Sequence, residues 1–377
     1  MEGVLAWLVI TIIKILVILG IVLGIGAYLT LVERKVAAHI QRRPGPMVVG
    51  WHGLLQPLAD GLKLLTKEDL FPRYGNRFLY NLALVMALVP ATLVFAVVPF
   101  GPEFEAFGIK IKPILTDVNV GLLLVFALGS MAVFAIALAG WASNSKYALI
   151  GSMRKAGIII SYEVVITFAV MGPIILAGTL STYDIVQKQI DQNLWYIWLQ
   201  PLAFVVYMFA MLAETGRVPF DIQEAEAELV TGFTVEYGGM KFGLFPLVEW
   251  YVEVLSLSAI AVVLFLGGWS PINIPFLGFV DPLFFLGPLS PYVWFILKVT
   301  LLSVHYLMSK KAPKALWWRE LFIGIVGGYG SSKSVSNGYG EAFYKIQEEY
   351  SFQPTQGPFK NLFNHVSPPN KRCYYSS

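Results

Sequence analysis

Charge is scarce in this sequence. Only 14% of its 377 residues are Asp, Glu, Lys or Arg, where a soluble domain carries about 25%. With 56% of residues hydrophobic, a water-soluble fold of this length would lack the polar surface to stay monomeric. Lipid is the solvent that this composition fits. Cysteine is scarcer still. The one cysteine, Cys373, lies in the extreme tail. That excludes an intrachain disulfide, and it excludes an iron–sulfur cluster held by four cysteines of this chain. The four histidines, His39, His52, His305 and His365, are scattered, with no pair at metal-ligand spacing, so no metal site is expected. No GxGxxG fingerprint follows a strand. The net charge of +3 is spread along the chain rather than gathered into an arm, which argues against nucleic acid as a partner. Electron carriers for any redox chemistry would belong to other chains.

What is present is a series of long apolar runs. A helical span needs roughly 20 mostly apolar residues. Seven stretches meet or approach that length: Val4 to Val32, Phe78 to Val98, Val118 to Gly140, Ala156 to Gly178, Leu194 to Ala213, Phe242 to Leu266 and Tyr292 to Leu307, the last being short. The first is too long for a signal-peptide core and no small-residue cleavage pattern follows it, so it reads as a retained span. No barrel-type alternation appears. The expected fold class is all-α, a polytopic transmembrane bundle. Arg34, Lys35, Arg42, Arg43, Lys63, Lys67, Arg73 and Arg77 fall in the first connection, and Lys146, Arg154 and Lys155 in the third. The second and fourth hold only Lys110, Lys112 and Lys188. Odd-numbered connections should face the cytoplasm, with the N-terminus outside.

The first connection is not simply polar. In GLLQPLADGLKLLTK, Leu54, Leu55, Leu58, Leu62 and Leu65 recur at helical spacing, with Asp60, Lys63 and Lys67 largely off that stripe. This pattern predicts an amphipathic helix lying on the membrane surface. An ordinary surface helix packed on the bundle is the alternative, and the two are compatible.

Ionisable groups within spans cost several kcal/mol unless paired or hydrated, so each is a candidate for function. Glu163 sits inside the fourth span and Glu214 closes the fifth. Glu249 and Glu253 lie four residues apart in the sixth, hence on one helix face. That spacing suggests a shared proton or a watery channel. Pairing with Arg or Lys from neighbouring helices is the alternative. Lys14 can snorkel along its own stem, while Lys298 lies deeper and is a candidate counter-charge for one of the glutamates. The fifth connection, Glu214 to Lys241, breaks the basic pattern. Arg217, Asp221, Glu224, Glu226, Glu228 and Glu236 stand there among Val218, Phe220, Ile222, Leu229 and Val230. A disordered acidic tail would lack those apolar anchors, so the loop reads as an ordered acidic wall facing water or a partner.

At this loop, ETGRVPFDIQEAEAELVTGFTVEY, the sequence closely resembles the H-subunit family of proton-pumping NADH:quinone oxidoreductase, respiratory complex I. The stretches LVERKVAAHIQRRPGP, GLLQPLADGLKLLTKED, GWASNSKYALIGSMRKAGIIISYE, GMKFGLFPLVEW and FLGGW fit the same family in the same order. The resemblance runs from near residue 20 to near Lys298. It implies a membrane component under the hydrophilic arm that forms much of the quinone chamber. The last iron–sulfur cluster is held by a neighbouring subunit, and a row of carboxylates leads towards the proton-translocating subunits. By motif, Glu33, Arg34, Asp60 and Lys63 would line the chamber and its entrance. Arg217, Asp221, Glu224, Glu226 and Glu228 would form its acidic wall. Glu163, Glu214 and Glu249, with Glu253 as a weaker carry-over, would continue the proton path.

No residue is assigned to direct catalysis, and quinone would be substrate rather than resident cofactor. The partners implied are the other subunits of the complex, quinone and the lipid bilayer. The implied location is the inner membrane of a bacterium rather than of a mitochondrion. Residues 1–309 would form the transmembrane quinone-chamber domain and 310–377 a divergent, irregular tail. Family members continue after this point with a basic segment and an eighth span. Here the longest apolar run of the tail, Leu321 to Val326, is too short to cross. A frameshift near codon 300 and a genuinely divergent C-terminus both fit. The competing function is the related membrane subunit of an energy-conserving hydrogenase complex, which does not use quinone. A secondary transporter would show internal repeats, and none is visible between the halves.

Overall fold

Long apolar runs become long helices here, two of them carrying a proline, Pro90 and Pro173, within their length, and caps mark several of their ends. The computed structural model describes residues 2–41, 43–106, 109–216, 232–274 and 278–309. In chain order the main helices are α1 (Glu2–Ile40), α2 (Gln56–Thr66), α3 (Arg77–Leu93), α4 (Gly121–Ala142), α5 (Lys146–Ala177) and α6 (Thr182–Asp191). There follow α7 (Tyr196–Leu199), α8 (Pro201–Glu214), α9 (Gly239–Pro246), a π-helical turn (Leu247–Val252), α10 (Glu253–Phe265) and α11 (Ser290–Ser309). Asn76 caps α3, its side chain accepting from the amides of Phe78 and Leu79 at 3.1 and 3.3 Å. Ser181 caps α6 by accepting from the Asp184 amide. Gly178, in the left-handed conformation, ends α5.

Six helical segments are long and apolar enough to cross a membrane: Thr11–His39, Arg77–Ala96, Gly121–Ala142, Lys146–Ala177, Gly239–Phe265 and Phe285–Tyr306. The protein is an all-α polytopic membrane protein, as its composition predicts. The fifth expected span, Leu194 to Ala213, differs. Gln200 leaves helical geometry (φ −135°, ψ 59°), so the segment divides into α7 and the 14-residue α8. At 1.5 Å per residue α8 is about 21 Å long. It stops at Gly216, whose φ of 63° is left-handed. The rest of that passage, 217–231, lies outside the described residues. The last span is longer than expected, running to Ser309. The expected tail domain from 310 onward also lies outside the described residues.

The connections sort by side. Lys14 Nζ donates to the Lys112 carbonyl at 2.8 Å, as a snorkelling lysine would. Thr182 Oγ1 donates to the Val97 carbonyl at 2.6 Å, and Tyr292 OH to that of Pro102 at 3.0 Å. These bonds join the hairpin β1–β2 (Phe104–Ala106, Ile109–Ile111), α6 and the start of α11. Asn273 Nδ2, in the hairpin β3–β4 (Ile272–Ile274, Gly278–Val280), donates to the Asn193 carbonyl at 2.9 Å. The even connections thus meet on one face. On the other, the Asn76 amide bonds the Ala142 carbonyl, Tyr80 OH bonds that of Glu236 at 3.1 Å, and Lys241 pairs with Asp69 at 2.7 Å.

The helix Gly239–Phe265 is the axis of the bundle. Of its most apolar window 72% is buried, against 28–33% for the other five spans. Residues Val252 to Phe265 anchor a core that includes Tyr207, Met211, Ile166, Val170, Leu122 and Tyr306. Leu16, Phe168, Ile175, Leu202 and Leu301 stand 65–75% exposed on the outside, the belt of apolar side chains that lipid would cover.

Candidate functional site

A carboxyl group on an apolar helix has few places to go, and three helices send theirs to the same one. Glu163 lies midway along α5, Glu214 is the last residue of α8 and Glu253 is the first of α10. All three line one cavity of about 50 Å³, together with Tyr207, Ser256 and Gly129. Ser130 on α4 donates to Glu163 Oε1 at 2.5 Å. Glu214 is buried, and its Oε2 has no hydrogen-bond partner among the described residues. A second cavity of about 50 Å³ is lined by Glu249 and Glu253 and shares Val94, Gly129 and Ser256 with the first. Gly129 lines both cavities, and a Cβ there would stand 3.9 Å from Glu163 Oε1, in ordinary van der Waals contact. Space of about 10–15 Å³ suffices for one water that has polar partners, so each cavity can hold a few. Chemically, the arrangement places four carboxyl groups on two small hydratable cavities within an apolar bundle.

The sixth-span pair is not a simple i, i+4 couple. The π-helical turn Leu247–Val252 inserts between α9 and α10 and shifts the register just before Glu253. Glu249 turns to α5, where Lys155 Nζ meets its Oε2 at 2.6 Å. Both carboxyl groups still line the second cavity. The charge-paired reading therefore holds for Glu249. Lys298 is not the counter-charge expected of it. It donates to the carbonyls of Leu266, Gly268 and Ser270 at 2.7, 3.1 and 2.6 Å and lies over the Trp195 ring. Leu266 is the C-cap of α10, and Gly268 and Ser270 lie in the turn that follows, so the ammonium ties together carbonyls of the chain as it leaves the helix.

The predicted entrance residues gather at the end of α1. Glu33 is buried and accepts from Tyr251 OH at 2.5 Å, tying α1 to the π turn. Arg34 pairs with Asp60 on α2, which also accepts from Gln56 at 3.0 Å. Lys63 is exposed. Helix α2 is amphipathic as expected, and its leucine stripe faces outward: Leu58, Leu62 and Leu65 are 56–64% exposed. Gly53 makes the turn into α2 possible. Its φ is 79°, and a Cβ would stand 2.2 Å from the Pro46 carbonyl oxygen.

A family model described as NADH dehydrogenase matches residues 13–314. The H subunit of NADH-quinone oxidoreductase from Aquifex aeolicus is 58% identical over 298 residues, 79% of this chain and 85% of that one. An H subunit of the same enzyme from Rhizobium meliloti, the one numbered 2, is 46% identical over 286 residues, 76% of this chain and 82% of the relative. The H subunit numbered 1 from Geobacter metallireducens is 46% identical over 309 residues, 82% and 88% of the two chains. The chain belongs to the H-subunit family of NADH-quinone oxidoreductase.

The family match extends past Lys298, where the motif resemblance ends, to residue 314. Of the predicted acidic wall, Arg217, Asp221, Glu224, Glu226 and Glu228 lie outside the described residues. The motifs shared with NADH-quinone oxidoreductase did not single out Lys155, Tyr251 or Ser130. Lys155 reads as one more basic loop residue because it stands immediately before the apolar run. Its position after GSMR, inside an uninterrupted helical pattern, is the available signal.

Proposed function

We propose that this chain is the membrane subunit in which quinone reduction is coupled to proton translocation in a bacterial NADH:quinone oxidoreductase. The observation that carries this reading is the convergence of Glu163, Glu214 and Glu253, from three helices, on one hydratable cavity that shares lining residues with that of Glu249. Apolar bundles do not gather carboxyl groups for stability, because each is costly to bury. A row of them joined by water-sized gaps suits proton movement.

The relatives' names supply the rest of the frame: they are subunits of NADH-quinone oxidoreductases. The chain would sit in the bacterial inner membrane, multi-pass and with its N-terminus outside, beside the hydrophilic arm and the adjacent membrane subunits. Quinone is the substrate. Its electrons come from an iron–sulfur centre on a neighbouring chain, since this one has a single cysteine. The outward leucine stripe of α2 supports an apolar ramp by which quinone leaves the bilayer. Glu33, Arg34, Asp60 and Lys63 would frame the entrance, and Arg217, Asp221, Glu224, Glu226 and Glu228 the acidic wall. Reduction of quinone takes up protons and transiently creates negative charge. Nearby coupled carboxylates redistribute their protons in response.

Glu214→Gln and Glu226→Gln test this in the assembled complex. Each should lower quinone-linked NADH oxidation at least tenfold, of the order seen when a positioned proton-transfer group is lost. Electron transfer to a hydrophilic artificial acceptor should be unchanged. Full quinone reduction and full proton pumping in both variants would overturn the assignment.

A further inference from the structure

Lys155 touches two parts of the molecule at once: the exit of the acidic loop and the carboxylate row. Its side chain is 8% exposed and its partner Glu249's is 11%. The Lys155 ammonium lies 2.6 Å from Glu249 Oε2 and 5.0 Å from the centre of the Phe233 ring. Phe233 belongs to Gly232–Thr234, the first described residues after the loop.

That exit is pinned to α5 one turn before Lys155. A Cβ on Gly151 would stand 2.8 Å from the Gly232 Cα, so backbone meets helix there without room for a side chain. Phe233 then packs edge-on against Phe245, which packs against Tyr237, itself stacked on Tyr80. On its other side the ammonium faces the row. Glu249 and Glu253 line the second cavity, which shares Gly129 and Ser256 with the cavity of Glu163 and Glu214.

A buried ammonium held by one carboxylate and one ring face has two anchors on separate elements. Moving either anchor changes its hold on the other. We propose that Lys155 is a positioning residue that couples the acidic loop to the carboxylate row, with the Phe233 ring and the Glu249 carboxylate as its two ends. A shift of the loop exit moves the ring against the ammonium and resets how tightly Glu249 is held at the head of the row. This deepens the function proposed above and rests on it.

The test uses the assembled complex in membrane vesicles. Lys155→Met removes the charge and keeps an unbranched stem. It should assemble with full activity towards a hydrophilic acceptor. The kcat for quinone should fall about tenfold, with KM within about twofold, as for a residue that acts on coupling rather than on binding. Lys155→Arg should keep most of the turnover. The double variant Lys155→Met/Glu249→Gln replaces the pair by two neutral groups and avoids an unpaired buried charge, so it should assemble even where the single variant does not. It should show the same tenfold loss. Wild-type kcat in Lys155→Met, or in the double variant, would overturn the proposal. So would a loss in Lys155→Arg as large as in Lys155→Met, since shape rather than charge would then be at work. Glu214→Gln, measured in parallel, separates the two readings. Loss there with wild-type kcat in Lys155→Met sinks the coupling role alone, whereas wild-type turnover in both sinks the carboxylate path itself.

Discussion

Two buried lysines in this bundle are answered by different oxygens, and the difference separates structure from chemistry. Lys298 is held by three backbone carbonyls where α10 ends, and Lys155 by a carboxylate facing a cavity. Backbone carbonyls do not titrate, so Lys298 is a structural clamp on the turn that follows α10. Lys298→Met should lower the stability of the purified complex by roughly 3 kcal/mol, the scale of leaving such acceptors unsatisfied. The readout is a lower midpoint of heat denaturation at unchanged activity below it. An unchanged midpoint would show that water or another donor replaces the ammonium. From sequence alone the two lysines are hard to tell apart. Lys155 stands at the margin of an apolar run and Lys298 within one, and only the three-dimensional path of the chain decides which oxygens each reaches.

At the scale of elements, α2 and the β3–β4 hairpin carry separable expectations. Helix α2 presents Leu58 and Leu62 outward. If that stripe is the ramp for quinone, Leu58→Asp with Leu62→Asp should raise KM for a long-chain quinone about tenfold and leave kcat within about twofold, the pattern of lost binding. A fall in kcat at constant KM would argue against a ramp. Next to β4, Asp281 accepts from Trp294 Nε1 at 2.8 Å, from Ser290 Oγ at 2.7 Å and from the Leu283 amide at 3.0 Å. These donors, that of Trp294 foremost, hold its carboxyl below the usual carboxylate range. A depressed folded value means stability that is present above the unfolded value of about 3.9 and lost as pH falls through the folded one. Hydrogen exchange at the Leu283 amide, corrected for its intrinsic rate, should therefore quicken below about pH 4 and should do so at neutral pH in Asp281→Asn. Equal protection across that range would refute the clamp.

Elements also show where sequence reading stops. Six spans follow from hydropathy because lipid imposes length and apolarity together. The amphipathic α2 follows from its leucine spacing. The π turn at Leu247–Val252 does not, because one shifted hydrogen-bond register leaves no mark in composition, yet it helps send Glu249 to Lys155 while Glu253 opens into the cavity with Glu163 and Glu214. The break at Gln200 is marked only by the proline that follows it. Intramembrane carboxylates are legible as costly residues, but their convergence is not, since three helices distant in sequence supply them.

For the whole molecule, the organisation is one of two faces and a buried axis. The even connections meet on one face, the described parts of the odd ones on the other, and the axis Gly239–Phe265 brings Glu249 and Glu253 to mid-bundle. The central claim is that the joined cavities carry protons. Gly129 lines both, bears no titratable group and leaves room for a Cβ. The most direct measurement is proton uptake into sealed vesicles by the complex carrying Gly129→Leu, per NADH oxidised and per second. A leucine would add apolar bulk to the lining that the two cavities share and would remove no carboxylate. The account predicts normal assembly, normal electron transfer to a hydrophilic acceptor and a loss of quinone-linked proton translocation of at least about tenfold. Wild-type translocation in that variant would contradict it.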